Sequence, residues 1–316
     1  MAYSFIRFCQ KYFFPADNKN ANYLSMGEEP FDKWRRIYDV PYGKDFPNSF
    51  LDLYLQRDRT AKATVFYVHG GGFTWGSKTD GDPTAGRKKT DKDWYFKRFL
   101  TEGYNMVSVD YAFAPEYGYP TPILQMEQAV QFLLEHGMKY GLDMTRLILA
   151  GSSAGGQIIG QFANVQTNAA YATEMGIPKI LPDGSIKACL FNSALLDCTR
   201  YGEAHNPLYD YLFTKCGEAY FSDKNLKNHS LAAQSDVIRH ASAAFPPSFL
   251  SDGNRGSFFS QARDFDRRLT ELGVVHELNI YPETEAKLSH GYESINGPYG
   301  QDNMKKMLAF LQKQDL

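Results

Sequence analysis

Short runs rich in β-branched and aromatic residues alternate along this chain with longer stretches of helical period, and that alternation restricts the fold more than any other feature. Eight such runs lie at 36–42, 50–56, 64–69, 105–110, 146–151, 186–192, 247–252 and 274–281. Helical stretches occupy 92–102, where Phe96, Phe99 and Leu100 form a stripe, then 121–138, 154–168, 258–272 and 301–313. Strands alternating with helices predict a mostly parallel eight-stranded sheet covered by helices, an α/β architecture. The first two runs are separated by a Gly/Asp/Pro/Asn turn and read as an antiparallel hairpin. Right-handed crossovers then bring the strand C-termini to one edge, where open α/β sheets bind ligands. At 316 residues with 43% hydrophobic content, one large core suffices, so 1–316 is read as a single domain.

Two segments stand outside the alternation, residues 1–35 and about 199–245. The second gathers Tyr201, Tyr209, Tyr211, Phe213, Tyr220 and Phe221, and both are expected to form a small cap over the active edge. Lys plus Arg number 34 against 36 Asp plus Glu. A balance this even provides no field for nucleic acid or an anionic membrane and suits a small neutral or amphiphilic substrate. Homo-oligomerisation is left open. No apolar run approaches the ~18 residues of a membrane span. The aromatic N-terminus is interrupted by Arg7 and Lys11 and lacks a small-residue cleavage site, so no stable membrane insertion and a cytoplasmic location are expected. Cys9, Cys189, Cys198 and Cys216 form no CxxC pair and are expected to be reduced thiols. No metal-ligand spacing, HExxH, GK[ST] or GxGxxG is present, so neither a metal nor another cofactor is expected.

Gly151-Ser152-Ser153-Ala154-Gly155 follows the apolar strand Leu147-Ile148-Leu149 and opens a helical run. A G-x-S-x-G at a strand-to-helix turn lifts the serine hydroxyl above the sheet, and the glycines avoid collisions around it. The bare pattern arises by chance in roughly one chain in ten of this length, so its placement is what gives it weight. His69-Gly70-Gly71-Gly72-Phe73 ends the third run, and three successive glycines let backbone N–H groups approach a developing oxyanion. His290 follows the last run and precedes the terminal helix, where a Ser…Asp…His order puts the base. For the acid, Asp252 lies at the end of the seventh run, with Asp197 and then Asp264 as alternatives.

As a set, HGGGF at 69–73, DYAFAPEYGYP at 110–120, GSSAGG at 151–156 and SHGYE at 289–293 resemble the hormone-sensitive-lipase-like group of α/β-hydrolase carboxylesterases, in order and spacing over about residues 36–315. The resemblance implies an α/β-hydrolase fold with Ser153 as nucleophile and His290 as general base. It also implies an oxyanion hole made by the N–H groups of Gly71, Gly72 and Ala154. Glu116, within the APE segment, is read as support for the glycine loop or the nucleophile turn. Two departures stand out: Ser152 replaces the group's usual Asp before the nucleophile, and a gapless alignment puts Gly256, not Asp252, at the acid position. The expectation is a cofactor-free serine carboxylesterase acting on a small-molecule ester of short chain. An amidase, formamidase or acyltransferase on the same triad, or a non-catalytic ligand-binding protein of this fold, remain alternatives.

Overall fold

A computed structural model describes residues 3–19, 25–57, 60–79 and 93–316. Among these residues nine strands form one sheet: β1 (Gly27–Phe31), β2 (Trp34–Pro41), β3 (Phe50–Leu55), β4 (Thr64–Val68), β5 (Asn105–Val109), β6 (Leu147–Ser152), β7 (Ile186–Asn192), β8 (Ser248–Ser251) and β9 (His276–Asn279). Their order is β1-β2-β3-β5-β4-β6-β7-β8-β9. The first four in that order pair antiparallel, and every later pairing is parallel. The expected hairpin is the β2–β3 pair, with an irregularity between Ile37 and Val40.

The sheet has one strand more than the sequence reading allows. β1 reads GEEPF, with three exposed residues in a row and a proline, which is the character of an edge strand lacking an apolar face. Residues 27–31, which the sequence pattern places with the cap, therefore belong to the sheet.

The described residues form ten α-helices: α1 (Ser4–Tyr12), α2 (Asp93–Glu102), α3 (Thr121–His136), α4 (Ala154–Thr167), α5 (Ala169–Met175), α6 (Pro207–Phe221), α7 (Ser230–Gln234), α8 (Val237–His240), α9 (Phe259–Glu271) and α10 (Pro298–Lys313). Successive strand residues point to opposite faces, so each buried strand feeds two cores. Val65, Tyr67, Ile148 and Ala150 pack with Phe96 and Phe99 of α2 and Met307 and Leu311 of α10. Phe66, Val68, Leu147 and Leu149 pack on the other side with Met126 and Val130 of α3 and Ile158 and Phe162 of α4. Each fully buried Phe or Leu here contributes about 1.5–3 kcal/mol relative to exposure. Strand order reverses at β4, because β5 lies on one side of it and β6 on the other. Such a reversal opens a crevice beyond the strand C-termini.

The expected cap divides in two. Gln157, Asn164 and Asn168 donate to the carbonyls of Ser235, Val237 and His240, stapling the α7–α8 region to the flank of α4. Among the described residues of the expected cap, α1 and α6 are the parts that lie against the glycine loop: Gln10 donates to the carbonyls of Thr74 and Ala114, and Tyr220 stacks on Phe73 at 3.7 Å. Among the described residues no helix is long and apolar enough to cross a membrane. The four cysteines are free and buried.

Candidate active site

Ser153 sits between β6 and α4 with φ 53° and ψ −117°, a backbone conformation uncommon outside glycine. The turn survives because both of its polar backbone groups are used: Ser153 N–H donates to Asn192 O and its carbonyl accepts from Leu195 N–H. Gly155 lets α4 approach β4, since a Cβ there would lie 2.1 Å from Val68 O. The serine side chain remains partly exposed, and its Oγ is 3.0 Å from His290 Nε2.

His290 is half-buried between Phe213 of α6 and Phe258, at ring distances of 4.9 and 5.4 Å. The loss of water pushes the imidazole down to about 4, so the ring is neutral at pH 7 and able to accept a proton. Its Nδ1 faces a hydroxyl, not a carboxylate: Ser257 Oγ lies 2.8 Å away and in turn donates to Asp252 Oδ1. A hydroxyl that gives its one proton to Asp252 can only accept from His290. The Nδ1–H tautomer follows, leaving the Nε2 lone pair aimed at Ser153.

The acid expectation is thus modified. Asp252 is fully buried at the end of β8, and burial pushes it up to about 7, but it reaches the imidazole only through Ser257. The alternatives are engaged elsewhere. Asp197 accepts from the N–H and hydroxyl of Thr199 at 2.9 and 2.7 Å, capping a short turn. Asp264, on α9, pairs with Arg200 at 2.7 Å and with Arg267. Glu116 pairs with Arg7 of α1, so it anchors the N-terminal helix and supports neither the glycine loop nor the nucleophile turn directly.

Other groups hold the glycine loop. Tyr111 Oη lies 3.1 and 3.0 Å from the carbonyls of His69 and Gly70, and Ala114 N–H donates to Phe73 O. Gly71 adopts φ 105°, where a Cβ would meet Trp75 O at 2.0 Å. The loop lies on the nucleophile turn, because a Cβ on Gly70 would be 3.2 Å from Ser153 Cβ. Among the described residues nothing accepts from the N–H groups of Gly71, Gly72 or Ala154, which leaves them available to an anion.

Sequence reasoning missed four residues of this neighbourhood: Ser193, Asn254, Ser257 and Glu293. Glu293 belongs to the SHGYE segment and Ser257 follows Gly256 directly, yet neither has a periodicity or spacing that announces a role. The only available signal was the displaced acid position itself, which implied a rebuilt loop.

A strand-to-helix serine, a histidine beyond the last strand and a glycine loop on one sheet edge are the constellation of the hormone-sensitive-lipase-like α/β-hydrolase carboxylesterases. Residues 51–267 match the BD-FAE family model, and the chain belongs to that family. It is similar to esterase LipI of Mycobacterium tuberculosis, 26% identical over 76% of this chain and 68% of that protein. Carboxylesterase NlhH of the same organism is 25% identical over 72% of this chain and 66% of its own length. The chain thus spans about two thirds of each relative. Among solved structures, esterase B of Lactobacillus rhamnosis superposes with a TM-score of 0.71 at 19% identity, covering 92% of this chain and 90% of that one. The esterase of Pyrobaculum calidifontis gives 0.67 at 22% identity, covering 93% and 88%. The chain takes its place among the carboxylic ester hydrolases.

Proposed function

We propose that this protein hydrolyses short-chain carboxylic esters through a Ser153 nucleophile, a His290 general base and an Asp252 carboxylate acting through the Ser257 hydroxyl. The observation that bears most weight is the 3.0 Å approach of His290 Nε2 to Ser153 Oγ between loops 137 residues apart. His290 takes the serine proton as Oγ attacks the ester carbonyl. The N–H groups of Gly71, Gly72 and Ala154 receive the oxyanion, and the alcohol leaves with the proton from His290. Water repeats the sequence on the acyl-enzyme. As the imidazolium forms, Ser257 passes the stabilising influence of Asp252 to Nδ1–H. Phe213 and Phe258 flank the base and the aromatic side of α6 faces the glycine loop, favouring a small apolar acyl group over an extended chain.

Fluorophosphonate labels the wild-type protein on this reading, and Ser153→Ala abolishes both labelling and ester turnover. Release of p-nitrophenol is fastest from acetate and butyrate esters. A preference for long acyl chains overturns the substrate assignment, and labelling that survives Ser153→Ala overturns the nucleophile.

A further inference from the structure

Behind the base lies a second buried carboxylate that the proposed chemistry does not use. Glu293 is 1% exposed, three residues beyond His290, in the short turn Tyr292–Ser294. Both of its oxygens lie 2.9 Å from Ser193 Oγ. Ser193 stands just past β7 with φ 45°, its N–H bonded to Ser251 O at 2.8 Å. Its oxygen also accepts the N–H of Gly291 at 3.1 Å, and Gly291 is the residue bonded to the base.

The proton inventory fixes the direction of this chain. A serine hydroxyl has one hydrogen and two lone pairs. Gly291 N–H can only donate, so Ser193 Oγ accepts it with a lone pair and gives its hydrogen to an unprotonated oxygen of Glu293, and the peptide joining His290 to Gly291 is pinned to the end of β7. The nucleophile is anchored to the same strand, through Ser153 N–H and Asn192 O. Base and nucleophile are therefore referenced to adjacent residues, Ser193 and Asn192. With the Glu293 side chain removed, nothing fixes the rotation of the Ser193 hydroxyl, and the lone pair aimed at Gly291 N–H loses its fixed direction. Leaving one buried polar group without its partner is the costly half of such a change.

We propose that Glu293 is a positioning residue for the base: through Ser193 it holds the Gly291 N–H, and hence the His290 ring, in register with Ser153. The inference rests on the reading of Ser153 and His290 as nucleophile and base. It explains a polar residue at a buried place that would otherwise favour an apolar side chain, and it assigns Ser193 a purpose for its uncommon backbone angle.

The test uses the full chain, with kcat and KM for p-nitrophenyl acetate measured beside fluorophosphonate labelling rates. Glu293→Gln keeps an oxygen that can accept from Ser193 and should stay within about threefold of wild type, whereas Glu293→Ala and Ser193→Ala should each lose up to about a hundredfold in kcat with KM little changed, the scale of a misplaced catalytic group. The double variant Glu293→Ala/Ser193→Ala should be no worse than the poorer single one, because both break the same chain. Wild-type kcat in Glu293→Ala, or losses that multiply in the double variant, overturns the proposal. Should Glu293→Ala fail to fold by circular dichroism, Ser193→Ala and the Gln variant decide the matter: an unchanged kcat in Ser193→Ala is then the refuting result. Failure of the nucleophile assignment is seen separately, as turnover that persists in Ser153→Ala.

Discussion

The Ser257 hydroxyl stands between His290 Nδ1 and Asp252 Oδ1, and on the proposed mechanism that single residue changes how the site should respond to pH. Burial raises Asp252 to about 7 and lowers His290 to about 4. As pH falls from 8, Asp252 takes up a proton well before the imidazole does, and the imidazolium formed in the transition state loses its distant counter-charge. Turnover should therefore decline through about pH 7, with Asp252 and not His290 setting the midpoint. Asp252→Asn should give a low rate that is flat between pH 5 and 8. A direct Asp-to-His bond is worth about 10⁴ in turnover, and with a hydroxyl interposed the expected loss is nearer a hundredfold, in Asp252→Asn and Ser257→Ala alike. A wild-type profile whose acid limb survives unchanged in Asp252→Asn would contradict this assignment. Ser153 and His290 were legible in the sequence because each occupies a fixed place relative to a strand end. Ser257 was not, since a lone serine after a glycine has the same appearance in any turn.

At the scale of elements, the loop after β8 and the loop after β9 must hold their places together, and one asparagine laces them. Asn254 Nδ2 donates to the carbonyls of Tyr281 and Ala286 at 2.8 and 2.7 Å, and its Oδ1 accepts from Leu288 N–H at 3.0 Å. Arg255 N–H adds a bond to Leu288 O at 3.0 Å. Asn254→Ala strands three backbone groups and should cost about 2 kcal/mol or more of stability. It should also lower kcat for p-nitrophenyl acetate by loosening His290. Urea unfolding midpoints and steady-state kinetics measure both effects, and an unchanged midpoint would show that the loops hold without it. β8 could be read from the sequence because its four residues are all buried, and β9, an edge strand of half-buried residues, because Val274 and Val275 precede it and Ile280 and Tyr281 follow it. β1 could not, because an edge strand with one neighbour needs no apolar run. α10 begins at Pro298, three residues before its expected start, since proline suits a first helical turn although it usually marks a break. The lacing itself was illegible, because its partners are main-chain groups that every residue possesses.

For the molecule as a whole, placing Asp252 and Glu293 in one dry pocket ties folding stability to pH. Burial first, and then the charge of Asp252, raise Glu293 to about 8 from an ordinary value of 4.5. Between those two values the folded chain keeps a proton that the unfolded chain has released. Stability from this residue is accordingly full below about pH 4.5 and is lost as pH rises through about 8. His290 acts in the opposite sense over a lower range: its folded value of about 4 lies below the ordinary 6.5, so falling pH favours the unfolded chain between them. The two effects overlap in the wild-type melting curve, and a comparison separates them. Glu293→Gln cannot titrate but preserves His290, so subtracting one Tm series from the other isolates the carboxyl. The wild type should match or exceed the variant at pH 5 and fall progressively behind it up to about pH 8, with the gap levelling off above that. Melting temperatures that run parallel across that interval would mean that Glu293 is ionised throughout, stabilised by a counter-charge, and that the pocket does not store a proton.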